Sequence, residues 1–199
     1  MSVDLSQSPI GPLIQQIEKA PYLVVPERAD GLRKMVEQHG IRLVLKPEND
    51  DFHVYVTQSR EILLGVAVLE RLWAYAYAYV NLLVVVQRHP GGTDLDLTAD
   101  AQARPAMDLL TWADDCEVLY HQTPWPNGLP RPVLNAPEGT LDRRVHDIFL
   151  SMVAWLVLHE TCHAVLRHPF SADTEEYHRQ EFVTVHHQES RRGQDRPRR

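Results

Sequence analysis

The spacing of apolar residues predicts two short helices near the start of the chain, at residues 11 to 20 and 30 to 39, the second stopped by Gly40. Between them Tyr22-Leu-Val-Val-Pro26 reads as an extended or loop segment ended by proline. The period then changes. Ile41 to Lys46 and Phe52 to Thr57 are short runs rich in β-branched and aromatic residues, separated by Pro47-Glu-Asn-Asp-Asp51. That linker is turn chemistry, so an antiparallel hairpin is predicted, with Glu61 to Leu64 adding a third strand. A long helix follows from about Val66 to Gln87. Inside it Trp73-Ala-Tyr-Ala-Tyr-Ala-Tyr79 alternates as a strand would, but alanine favours helix and Leu69-Glu-Arg-Leu-Trp73 has helical spacing. Helix is the reading adopted, with the tyrosines packed against the core.

Pro90-Gly-Gly-Thr breaks the pattern. Ala99 to Cys116 predicts another helix, with Pro105 in its early part or at its ordered start. Glu117 to Gly139 is dense in proline and reads as a long irregular connection, in which Trp125 is expected to pack on the surface. Thr140 followed by Asp142 marks the start of a further helix, Leu141 to His168. On it Val145, Ile148, Met152, Trp155 or Leu156, His159 and His163 fall three or four residues apart. This predicts one stripe facing the core, with both histidines on it. The expected class is α+β: a mostly helical domain with a small antiparallel sheet and no internal repeats.

A chain of 199 residues, 44% of them hydrophobic, is enough for one domain with a real core. Residues 1–185 are read as that domain and 186–199 as a disordered basic tail, because five arginines face two acids from Glu189 onward. A net charge of −7 and a pI near 5.8 argue against general nucleic-acid binding. Two cysteines, Cys116 and Cys162, exclude a disulfide framework and a cysteine-rich zinc cluster, and Cys162 is expected to be a small core residue. The N-terminus has no basic region followed by an apolar run, so no signal peptide is evident. Leu72 to Val86, the best membrane candidate, falls short of the roughly 20 residues a span needs. A buried helix, no membrane insertion and a cytoplasmic location are therefore expected. The oligomeric state leaves no signature in the chain.

The chemistry concentrates in His159-Glu160-Thr161-Cys162-His163. Residues four apart share a helix face, so His159 and His163 can offer two imidazoles to one metal ion. Glu160 is then placed as the general base of a metallopeptidase, drawing a proton from a metal-activated water. Catalytic zinc takes three protein ligands and leaves a fourth position open. The metzincin solution needs glycine at position 166 and histidine at 169, whereas the chain has Leu166 and Pro169. That class is excluded. A glutamate from a following segment is the alternative, with Glu175, Glu176, Glu181 and Glu189 as candidates. His168 reads as a C-terminal helix residue favoured by the dipole, and His178, His186 and His187 as surface residues.

The segment from His159 to His168 resembles the HExxHxxxGH stretch of small intracellular gluzincin-like peptidases. Among these are the Lit-type phage-exclusion peptidases (peptidase U49) and the ImmA/IrrE group. Ile62 to Tyr79 is also similar to the strand and first helix of that group, so the likeness runs from about Ile41 to Glu181. It implies a zincin-like domain and a zinc-dependent peptidase acting on protein or peptide, in phage defence. An E-x-x-A-D or E-x-x-A-N motif there supplies the third ligand; its best match, Arg179-Gln-Glu-Phe-Val-Thr-Val185, makes Glu181 that ligand by resemblance. Arg167 stands where the pattern has glycine, and Thr184 and Val185 stand where it has alanine and an acidic or amide residue. On that ground the reading frame is expected to be truncated or altered near Val183. Two further functions compete: a non-catalytic or truncated metal-binding or interaction domain, and a membrane-associated peptidase anchored by Leu72 to Val86.

Overall fold

The computed structural model describes residues 8–46, 54–89, 96–97, 100–101, 103–119 and 124–166. In chain order the elements are α1 (Ile14–Val24), α2 (Ala29–His39), β1 (Arg42–Lys46), β2 (Val54–Val56), β3 (Glu61–Gly65), α3 (Val66–Gln87), α4 (Arg104–Leu119) and α5 (Leu141–Leu166). Short 3-10 turns precede α1 and α2. The result is the expected α+β, mostly helical class. The tail and its predicted disorder lie outside the described residues.

Two local expectations at the N-terminal end are revised. Tyr22 to Val24 belong to α1, which accommodates Pro21 in its interior and buries it with Ile17 and Ala20. The helix ends four residues later than the sequence pattern suggested, at Val24, because Val25 precedes Pro26 and is driven out of the helical region, to φ −128° and ψ 63°. Gly40 stops α2 as predicted: at φ +63° it donates its N–H to the Glu37 carbonyl, and Ile41 donates to the Val36 carbonyl. Those two bonds satisfy carbonyls that the last helical turn leaves open.

The sheet corrects the hairpin. Its order is β1-β3-β2, so β1 and β2 do not pair; β3 lies between them, parallel to β1 and antiparallel to β2. The sheet is therefore mixed rather than antiparallel. Burial gives the reason. Ile62, Leu63 and Leu64 of β3 are all buried, and a strand apolar on both faces takes the centre. β1 and β2 are mostly half-buried and become edges. The turn chemistry of Pro47 to Asp51, which lie outside the described residues, does not name the partner strand.

α3 is a single helix through the alternating alanines and tyrosines. Ala74, Ala76 and Ala78 are buried, which lets neighbouring helices approach closely, while Tyr75 and Tyr77 are half-buried and Tyr79 is exposed. α4 starts at Arg104, capped by Asp100, whose carboxylate accepts the Ala103 N–H at 3.0 Å, and Pro105 occupies its first turn, where a missing N–H costs nothing. It runs on to Leu119, beyond the expected end at Cys116. Trp125 is buried rather than laid on the surface. Its ring meets Trp73 of α3 at 5.6 Å and Trp112 of α4 at 4.7 Å, pinning the proline-rich connection to the core.

α5 is the central element, packed on α1, α3, β2 and β3. Thr140 caps it, accepting the Arg143 N–H at 3.2 Å. Val145, Phe149, Val153, Val157, Glu160 and Ala164 form its buried face. Among the described residues α5 is the one helix long and apolar enough to cross a membrane; its apolar face is spent on the core of the domain. α3, which contains the earlier candidate Leu72 to Val86, does not meet that description.

Candidate metal and catalytic centre

The buried face of α5 is rotated by about a quarter turn from the stripe that the sequence pattern predicted. Val145 belongs to both, but Phe149, Val153 and Val157 are buried where Ile148, Met152 and Leu156 were expected, and these three are half-buried. The consequence for the motif is an exchange of places. Glu160 lies on the core side, 7% exposed, while His159 is exposed and His163 half-buried at the rim. Cys162 is exposed as well, so it is not the core residue that was expected; Cys116 is. α5 is apolar nearly all round, with Leu156, Leu158 and Val165 off the buried face, and periodicity alone could not set its rotation.

At the rim the two imidazoles converge. Nε2 of His159 and Nε2 of His163 are 3.0 Å apart, and the rings meet edge to face with centroids 4.6 Å apart. Two nitrogens bound to one zinc at about 2.0–2.1 Å in tetrahedral geometry would be about 3.3 Å apart. The observed pair is within a few tenths of an ångström of that. One ligand atom from each of His159, Glu160 and His163 lies within 4.8 Å of the others, so the donor set of two imidazole nitrogens and a carboxylate oxygen is compatible with a metal ion.

Glu160 is held differently. Its carboxyl pKa is raised from an ordinary 4.5 to about 7, chiefly because burial disfavours the charged form. The backbone N–H of Val56 donates to it and offsets part of that rise. The register explains why Val56 is free to do so. Thr57 donates its N–H to the Glu61 carbonyl in a closely bonded pair, and such pairs alternate, so Val56, opposite Ile62, turns its backbone groups away from β3. The outer edge of β2 thus faces Glu160. Beside it Thr161, also buried, donates its hydroxyl to the Val157 carbonyl at 2.7 Å and adds no unmet polar group.

One neighbour was not anticipated. Trp155, one turn before His159, is 64% exposed and stacks on the His159 ring, with centroids 5.3 Å apart and planes 19° from parallel. The spacing of four was visible in the sequence; the assignment of Trp155 to the core stripe hid its meaning. Val56 acts through its backbone and leaves no sequence signal at all. Glu181, the ligand assigned by resemblance, lies outside the described residues, as do Glu175, Glu176, Glu189, His168, His178, His186 and His187. The same holds for Arg167, Thr184 and Val185.

A model of the Peptidase U49 family matches residues 62–189, from the start of β3 through α5 and past Glu181. The chain belongs to the peptidase U49 family. A cell death peptidase of Escherichia coli strain K12 is 30% identical to this U49 chain over 171 residues, 82% of the chain and 57% of the relative. The U49 chain therefore spans a little over half the length of that relative. No solved structure matches it. Within the family match fall both histidines, Glu160 and Trp155; Val56 and β1 lie before it.

Proposed function

We propose that this U49 chain is a zinc-dependent endopeptidase that hydrolyses a protein substrate in the cytoplasm, in phage defence. The reading rests on one observation above the others: two histidine Nε2 atoms meet 3.0 Å apart beside a buried glutamate of raised pKa. The family and the cell death peptidase among its relatives support proteolysis as the activity. His159 and His163 would hold the metal, with Glu181 as the third ligand. A zinc ion so held supplies Lewis acidity toward a scissile carbonyl and brings the pKa of a water to about 7.

The rest of the chemistry belongs to the chain. Glu160 is the general base: it takes a proton from the attacking water and returns it to the departing amine. A carboxyl near pKa 7 is matched to both halves of that transfer at neutral pH. Val56 fixes the carboxylate through its N–H. The outward backbone groups of β2 provide an edge along which an extended peptide can add as a strand, passing Glu160. A folded protein offers few such segments, so substrates with an exposed loop or strand are expected.

Glu160→Gln is the direct test. The variant should keep zinc, measured by metal analysis of purified protein, and lose cleavage of a proteome-derived peptide library read by mass spectrometry. Unchanged cleavage would sink the mechanism. The competing reading, a metal-binding or interaction domain without catalysis, draws on Thr184 and Val185, which replace the alanine and the acidic or amide residue of the E-x-x-A-D or E-x-x-A-N pattern. Zinc that is near-stoichiometric and lost in His163→Ala, with no cleavage by the wild type, would favour that second reading.

A further inference from the structure

We propose that Trp155 is a positioning residue for the metal centre, its indole holding the His159 imidazole in the orientation that brings Nε2 onto Nε2 of His163. The inference rests on the metal-binding reading of His159 and His163, and extends it to a residue outside the ligand set.

The need for such a residue follows from the exposure of His159. An imidazole on an exposed helix face has several rotamers, and the ring torsion is broad, so the orientation that converges on His163 must be selected. Metal-binding histidines are usually fixed by a hydrogen bond from the second ring nitrogen to a carboxylate or carbonyl. Among the described residues His159 makes no such bond; its contacts are Nε2 of His163 and the face of Trp155. Rotation that tilts the ring out of this plane would break the near-parallel stack of 19°, and within the plane the contact with Nε2 of His163 selects the edge that carries Nε2. The stack therefore fixes the ring plane where, among the described residues, no such hydrogen bond does.

Core packing does not account for the tryptophan. The other three, Trp73, Trp112 and Trp125, are 3%, 6% and 8% exposed and form one buried cluster, whereas Trp155 is 64% exposed. An exposed indole on α5 adds little to the core, and any helix former would complete that turn. What the indole contributes is its face. Rings at positions 155, 159 and 163 form a ladder along the helix: parallel at the first step, edge to face at the second. The first rung is outside the ligand pair and steadies it from one side.

Full-length chain stripped with a chelator, then titrated with Co2+ and with Zn2+, tests this. Wild type should bind about one equivalent. Trp155→Ala and Trp155→Leu should bind about 2- to 12-fold more weakly, the range of an aromatic contact of this kind, while Trp155→Phe keeps most of the affinity. Thermal midpoints of the metal-free variants should stay together, which a structural role for Trp155 would not allow. Co2+ should also quench the red-shifted emission that an exposed tryptophan gives, and that quenching should vanish in Trp155→Phe. Wild-type affinity in Trp155→Leu, or a loss in Trp155→Phe as large as in Trp155→Ala, would overturn the positioning role and leave the metal site standing. A wild type that binds neither ion would overturn the metal reading itself, and this inference with it.

Discussion

Replacing Glu160 by glutamine should stabilise the metal-free protein, and should do so only above a defined pH. The residue is 7% exposed and its carboxyl pKa is raised from 4.5 to about 7 in the folded chain. Below pH 4.5 the group is protonated whether the chain is folded or not, so it costs nothing. Between 4.5 and 7 the unfolded chain releases the proton while the folded chain keeps it, and stability falls as the pH rises. Above 7 both states are ionised and the whole cost of burying the carboxylate is present. At about 1.4 kcal/mol for each tenfold change in acidity, that cost is about 3 kcal/mol, against a typical domain stability of about 5–15 kcal/mol. Glutamine has nearly the same shape, can still accept the Val56 N–H and carries no charge. Urea denaturation in the presence of a chelator, at pH 5 and pH 8, measures the effect. The advantage of Glu160→Gln over wild type should grow by about 2–3 kcal/mol from the lower to the higher pH. A difference between the two proteins that is the same at both pH values would refute the account of Glu160 as a carboxyl raised by burial.

Phe149 is fully buried on the core face of α5, so Phe149→Ala should cost about 3–5 kcal/mol in urea denaturation, and a loss under about 1 kcal/mol would contradict the placement of that face. Gly40→Ala meets open space but at φ +63°, so its penalty should be purely conformational, about 1 kcal/mol in the same assay. Tyr77 has a pKa raised above 10, first by burial and then by Asp142. Its neutral form is the one the fold favours, so its contribution is intact below pH 10 and is lost as the pH rises through the folded-state value. Stability of Tyr77→Phe should accordingly fall less steeply than wild type in denaturation series taken above pH 10.

Much of the helical frame could be read from the residues because its signals are local. Gly40 ends α2 through a backbone conformation that other residues avoid, Thr140 starts α5 through a side-chain cap, and Pro105 sits where α4 can tolerate it. Each depends on neighbours a few positions away. The sheet depends on partners far apart. Turn residues between β1 and β2 suggested a hairpin, yet Ile62 to Leu64 are the most uniformly buried strand residues and claim the centre, displacing β1 to the far edge. The apolar run was present in the sequence, and weighing strand burial before turn chemistry would have ordered the sheet.

The site shows the same division, with more at stake. Spacing correctly joined His159 to His163, since two residues four apart on a helix must be neighbours whatever surrounds them. Spacing could not say which way the pair faced. An amphipathic helix announces its buried side, but α5 is apolar on nearly every side, and its rotation is settled by contact with α1, α3 and β2. That rotation places the histidines at the rim and turns Glu160 inward. It is also the arrangement that the proposed hydrolytic reading requires, because metal ligands need an open side for substrate, whereas a base gains its raised pKa from burial. A motif on the core stripe, as the periodicity suggested, would have enclosed any metal held there and left it no open position for water. On that reading, the quarter turn separating the predicted face from the observed one is the difference between a structural metal site and a site with room for a substrate.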